Sequence, residues 1–170
     1  MNRLKLLITI TMLWAYTATM MGSVVLNSTN FPDANFRAFV SRSTGVAEGG
    51  TISDAVIAEQ NFWTGYGAGG SLAYQNIQNM KGIEHFTSLV SLRCNGNQLT
   101  SLDISALTNL QNVDCSNNQL TSLTLGAASS LNSVECQKNQ LTALNVSALT
   151  NLWTLNCSNN SLGNLDVSRN

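Results

Sequence analysis

From Leu89 onward the apolar positions of this chain fall on a period of 21 residues that never slips. Leu89, Leu92, Cys94, Asn97 and Leu99 are followed in the same spacing by Leu110, Val113, Cys115, Asn118 and Leu120. Leu131, Val134, Cys136, Asn139 and Leu141 come next, and then Leu152, Leu155, Cys157, Asn160 and Leu162. A second apolar phrase fills the other half of each unit, as in Leu99, Leu102 and Ile104, or Leu120, Leu123 and Leu125. A fixed period in the twenties is the signature of a solenoid, whose coils bury their apolar positions only by stacking. The alternation within both phrases predicts short parallel strands on one face of a flattened tube and short strands or bridges on the other. Leu107, Ala128 and Leu149 close the coils, and Ala128, smaller than its counterparts, marks a weak point. The expected class is an α/β-type solenoid of mostly short parallel strands.

The polar positions that recur with the apolar ones read as architecture. Asn97, Asn118, Asn139 and Asn160 stand where each strand ends, and an inward amide there can satisfy backbone groups that no ladder bond reaches. Asn117, one residue earlier, is expected to be only a surface side chain. Thr100, Thr121 and Thr142 are expected to form a surface row favoured by strand propensity. Cys94, Cys115, Cys136 and Cys157 occupy one slot per coil, which in a stack with strands ~4.8 Å apart gives a row about 14 Å long. Such a row cannot converge on a zinc ion with sulfurs ~2.3 Å from the metal. Parallel, in-register Cβ vectors suit a disulfide poorly. All four are therefore expected to be buried and reduced, as small apolar side chains.

Before Leu89 the repeat is incomplete, although Ile83 and Phe86 are in phase with Ile104 and Leu107. This segment is placed to cover the open end of the first coil. Phe36, Phe39 and Val40 recur at helical spacing after Pro32 and Asp33, which predicts an amphipathic helix from about Asp33 to Ser41. A second short helix is expected over Asp54 to Ala58, with Ser53 as its cap. Gly45 to Thr51 reads as a loop, Gly65 to Gly70 as a flexible excursion, and Phe62 and Trp63 as cap packing. The boundaries are thus 1–22 for a leader, 23–88 for a small α-helical N-terminal cap with a partial first repeat, and 89–170 for four repeats.

The leader is marked by a change in composition. Arg3 and Lys5 precede an apolar run from Leu6 to Ala15, broken by Thr9 and Thr11, and the stretch turns polar at Tyr16 to Thr19. This is the layout of a secretory signal peptide, with cleavage expected between Ala18 and Ser23. It is too short for a membrane span of roughly 20 apolar residues, and no other transmembrane segment is predicted. Over the whole chain eight basic residues meet nine acidic ones. No basic cluster is present to neutralise phosphates, so nucleic acid is excluded as a partner.

With the signal peptide, the phrase Asn30, Phe31, Pro32, Asp33, the bridge Lys81 to Phe86, and repeats such as Leu110 to Leu123, the chain resembles secreted leucine-rich repeat proteins of Bacteroidetes and gut Gram-positive bacteria. The resemblance covers about residues 27 to 170 and implies a leucine-rich repeat fold, while saying little of function. In those relatives the helix-loop-helix before the repeats often looks like a calcium loop. Aligning Gly50 to its sixth position here puts Gly45, Ala47, Gly49 and Val56 where side-chain ligands belong. Calcium needs roughly six to eight oxygens including carboxylates, so no metal and no cofactor is expected. The last unit stops at Asn170 without a closing cap, which implies a fragment or an early-terminated reading frame of something longer.

Catalysis has little support. His85, the single histidine, lies in the bridge and has no nucleophile motif beside it. Asp114 and Glu135 fall at matching positions of adjacent coils, but on a flat face they read as a solvated ladder rather than a paired-acid site. The strand face itself is the best candidate for function. Three rows flank the inward residues: Ser91, Asn112, Ser133 and Thr154; Arg93, Asp114, Glu135 and Asn156; and Asn95, Ser116, Gln137 and Ser158. Trp153 adds an aromatic at one edge. The candidate ligand-binding residues are Arg93, Asn112, Asp114, Ser133, Glu135, Trp153, Thr154 and Asn156. The expected function is a secreted or cell-surface, non-enzymatic binding or adhesion module for a protein or a glycan. The alternative is an accessory recognition domain of a larger secreted peptidase or glycoside hydrolase.

Overall fold

The computed structural model describes residues 22–63, 71–127 and 130–170. The expectations for the leader, for Gly65 to Gly70 and for Ala128 fall outside the described residues. The repeats wind into a solenoid. Its main face is a five-stranded parallel sheet of β3 (Phe62–Trp63), β4 (Ser91–Arg93), β6 (Asn112–Asp114), β8 (Ser133–Glu135) and β9 (Thr154–Asn156). The opposite side carries a two-stranded parallel sheet of β5 (Ser101–Asp103) and β7 (Ser122–Thr124). The register advances by one repeat per strand, with Leu92 opposite Val113, Val113 opposite Val134 and Val134 opposite Leu155. The inward residues of the first three repeats are almost wholly excluded from water; Leu89, Leu92, Leu99, Leu110, Leu120, Leu131 and Leu141 are all 0 % exposed. Full burial of such a side chain is worth about 1.5 to 3 kcal/mol.

Each coil is fastened to its neighbour through the asparagine that ends its strand. The Asn118 amide nitrogen donates to the Cys94 carbonyl of the preceding coil at 3.1 Å and to the Cys115 carbonyl of its own at 3.0 Å. Its oxygen accepts from the Leu99 N–H of the preceding coil at 3.1 Å. Asn139 repeats the scheme with Cys115, Cys136 and Leu120, and Asn160 with Cys136, Cys157 and Leu141. Asn97 does the same toward the cap, accepting from Gln75 and Ile77 and donating to Leu72 and Cys94.

The turn before each asparagine has its own requirement. Gly96, Asn117, Lys138 and Asn159 share one position per coil, and all have left-handed backbone, with φ of 68°, 53°, 56° and 55°. Tyr74, at φ 59°, holds the matching place in the cap, and a Cβ on Gly96 would overlap its ring. The expectation that Asn117 is merely a surface side chain is therefore corrected. Glycine and asparagine tolerate left-handed φ, whereas other residues are strained there.

The N-terminal cap is built as a lid of aromatic rings. Helix α1 (Ala34–Thr44) starts at Asp33, whose Oδ1 accepts from Asn35 and Phe36 at 2.9 Å each. It runs three residues past the expected end because Gly45, at φ 71°, is the first residue that readily closes it in the left-handed region. Helix α2 (Asp54–Ala58) lies at the expected place, capped by Ser53. Phe36, Phe39 and Val40 face inward from α1. The Trp63 ring packs 5.0 Å from Phe39 and 4.6 Å from Phe86, centroid to centroid. Trp63 is more than cap packing, since the backbone of Phe62 and Trp63 pairs with Ser91 and Leu92 and so begins the main sheet. A short antiparallel pair, β1 (Val24–Val25) and β2 (Thr51–Ile52), ties the loop after α1 to the chain start.

The asparagine scheme generates a prediction about neighbouring residues. Asn118→Ala is expected to cost about 1 to 3 kcal/mol by stranding backbone groups in two coils. Asn117→Ala is expected to cost about 1 kcal/mol through strain alone, and Asn117→Gly to recover most of that. Denaturant midpoints of the three variants check the order; equal shifts for Asn117→Ala and Asn118→Ala overturn it.

Candidate functional site

The candidate residues are brought onto one surface. Arg93 lies on β4, Asn112 and Asp114 on β6, Ser133 and Glu135 on β8, and Thr154 and Asn156 on β9, all in register. Trp153 immediately precedes β9 and is 91 % exposed. Its N–H donates to the Asn132 carbonyl at 2.8 Å, which fixes the backbone from which the ring projects.

The face is not flat. Ser91, Arg93, Asn112, Asp114, Ser133 and Glu135 line a shallow depression of about 210 Å³. Asp114 and Glu135 are half-buried rather than fully solvated, and Ser91 is buried. The third row differs more from the outward placement expected of it: Ser116 is buried and only Ser158 is exposed. The chain turns here, and the Ser116 hydroxyl donates to Asp114 Oδ1 at 2.7 Å while its N–H donates to the same oxygen at 3.1 Å. Ser158 and Asn156 repeat this turn one strand beyond Gln137. These carboxylate and amide groups are thereby held in fixed orientations, each with acceptor capacity left over.

Behind this face runs the cysteine row. All four thiols are free, but only Cys94, Cys115 and Cys136 are buried; Cys157 is half-buried. Full shielding of all four was the expectation, and Cys157 departs from it because no described coil packs over the outer side of β9. Burial pushes the Cys94 and Cys136 thiols up to about 12, and Cys115 well above its ordinary range. The flanking thiols add to the effect at Cys115. Such thiols are neutral and poor nucleophiles.

His85 and the loop after α1 belong to the cap. His85 sits in a 3-10 helix (Ile83–His85) with its ring 6.1 Å from Phe31. In the loop after α1, Glu48 pairs with Arg37 at 2.9 Å, and the backbone of Gly49 and Gly50 bonds to Leu26. The loop's conformation is thus set by backbone bonds where a calcium loop would present carboxylates. Among the described residues no helix is long and apolar enough to cross a membrane.

Residues 87–126 match the family described as leucine-rich repeats in two copies. The functional domain of InlJ from Listeria monocytogenes, which includes a cysteine ladder, superposes with a TM-score of 0.74 at 33 % identity over 87 % of this chain. The fold is that of a leucine-rich repeat solenoid. An internalin, InlF, of the same organism shares the fold at 18 % identity with a TM-score of 0.51 over 88 % of the chain. This chain spans 31 % of the InlJ structure and 49 % of that of InlF. No curated protein matches the chain.

Depth within the solenoid sets the reactivity of its thiols. In the folded chain one thiol, Cys157, is expected to react with a thiol reagent and the other three only after denaturation. None reacting after denaturation without reductant would show disulfides. The raised values for Cys94 and Cys136 mean that they stay protonated in the folded state while an unfolded thiol ionises near its ordinary 9.0. Their contribution to stability is therefore complete below pH 9 and is lost as pH rises from 9 toward 12. Cys94→Ala is expected to flatten that fall in a denaturant series, and an unchanged slope would count against it.

Proposed function

We propose that this leucine-rich repeat chain is an exported, non-enzymatic module that binds a partner protein through the face of β4, β6, β8 and β9. The observation that carries the reading is an exposed Trp153 ring at the start of β9, the strand next to those that line a shallow depression of fixed polar groups. An aromatic side chain of two χ angles offers large contact area at low entropic cost, and tryptophan is enriched among residues that dominate interfaces. Asp114, Glu135 and Asn156 supply acceptors around it, with Arg93 at the far side of the depression. The inward residues keep one type from coil to coil while these outward ones vary, so the surface can change without disturbing the stack. Export is supported by the positively charged and then apolar N-terminal stretch. A cell-surface site of action fits the same reading.

The test is a binding screen of the whole chain against host surface proteins and, in parallel, glycan arrays. Trp153→Ala and Asp114→Ala are each expected to weaken capture of a protein partner by at least about tenfold, the loss of roughly 1.4 kcal/mol. Binding only on the glycan arrays would make the ligand a sugar. Binding that survives both changes but fails on altering Trp63 in the cap would move recognition away from this face.

A further inference from the structure

The strands of the opposite side pair only with each other, which leaves two open edges among the described residues, that of β5 toward the cap and that of β7 toward residues 142–146. Ile104 N–H donates to the Thr124 carbonyl at 3.0 Å and Thr121 N–H to the Thr100 carbonyl at 2.9 Å, so β5 is joined to β7 through Thr100, Leu102 and Ile104. In a parallel pair the alternate residues point the other way. The N–H and C=O groups of Ser101 and Asp103 therefore face the cap, and no backbone hydrogen bond joins described residues 78–86 to 100–106. A cleft of about 340 Å³ lies there instead, lined by Met80, Ile83, Glu84, Ser101, Leu102 and Asp103 among others.

At the β5 edge the cap adds a feature of its own. Ile77 takes the place of Leu99 in the ladder, because its N–H bonds to Asn97 as that of Leu99 bonds to Asn118. Ile83 takes the place of Ile104, since Phe86 and Leu107 close matching turns on them. Ile83 comes six positions after Ile77 whereas Ile104 comes five after Leu99, so the cap coil carries one extra residue along this seam. Asp33 Oδ2 holds the surplus outward by accepting from Gln78 at 2.7 Å and Asn79 at 3.3 Å. Lys81 Nζ is drawn the same way, to the Thr29 carbonyl at 3.0 Å.

We propose that this seam is a second binding site, which takes an extended peptide segment carrying a lysine or arginine by strand addition to the free edge of β5. Paired donors and acceptors on an open edge are matched most fully by another extended main chain. The basic side chain follows from charge. Glu84 and Asp103 line the cleft, and each commits one carboxylate oxygen to a local turn, Glu84 Oε2 to Gly82 N–H and Asp103 Oδ1 to Ser105 N–H. Their other oxygens take no hydrogen bond among the described residues; Lys81 also lines the cleft, with its ammonium directed to the Thr29 carbonyl, so two carboxylates face one cation and the lining stays net negative. Met80, Ile83 and Leu102 give the floor an apolar surface for the alternate side chain.

Amide exchange on the labelled whole chain, with three capped pentapeptide probes, decides the matter. The probes are one of alternating lysine and valine, its glutamate counterpart, and a copy of the first N-methylated at alternate amides. In the free chain the amides of Ser101 and Asp103 are expected to exchange at least about tenfold faster than those of Leu102 and Ile104. The lysine peptide is expected to slow them and shift their resonances, with the other two peptides at least about tenfold weaker. Asp103→Lys, on an exposed side chain, is expected to reverse the preference between lysine and glutamate peptides, while Trp153→Ala leaves it unchanged. Protection of Ser101 and Asp103 before any peptide is added overturns the open edge. Equal binding of the N-methylated peptide, or shifts confined to β4, β6 and β8, overturns the site.

Discussion

A single side-chain amide per coil carries the connection between one coil and the next where the strands give out. Strands of three residues exchange too few ladder bonds to set a register firmly, and beyond them the chain must turn with its peptide groups inside the stack. Asn118 and its equivalents answer both needs, because one amide has two donors and an acceptor and each coil presents carbonyls and an N–H at the same height. The left-handed residue just before each of them aims the turn so that the amide enters the interior. The cysteine row, the leucine rows and the outward face inherit their alignment from that fastening.

The same scheme reaches into the cap, and there it meets a different kind of packing. Asn97 binds Leu72, Gln75 and Ile77 as if they were a preceding coil, while Phe31, Phe36, Phe39, Trp63 and Phe86 fill the end of the core with rings instead of leucines. Asp33 joins the two systems, since one oxygen caps α1 and the other holds Gln78 and Asn79. Gly82 lets them close, for its φ of 102° is left-handed and a Cβ there would overlap the Phe31 ring. The residues that Asp33 holds lie beside the open edge of β5, so the cap both ends the core and lines that edge.

The two broad surfaces of the solenoid differ as a result. On the main sheet the ladder is unbroken from β3 to β9, the backbone groups between its strands are paired, and side chains such as Trp153, Asp114 and Glu135 are left to make contacts. On the opposite side the ladder is β5 and β7 alone, so backbone groups at its edges are themselves on offer. Recognition by side chains on one surface and by main chain on the other follows from where the hydrogen bonding is complete.

The repeat, the inward rows, the asparagine positions, the starts of both helices and the outward strand positions other than Ser91 were legible in the sequence alone. A period makes every coil the environment of the next, so local alternation already says which way a residue points. That logic fails where the period fails. The strand character of Phe62 and Trp63 rests on pairing with Ser91 and Leu92, and the burial of Ser116 on a turn that gathers it against Asp114. The half-exposure of Cys157 rests on what stacks over β9, and the placement of Gln78 and Asn79 beside the seam on Asp33 reaching residues 45 and 46 positions away. Sequence determined the coil because its interactions recur at fixed spacing; only the tertiary structure decided the ends and the seam, because contacts made once leave no period to read.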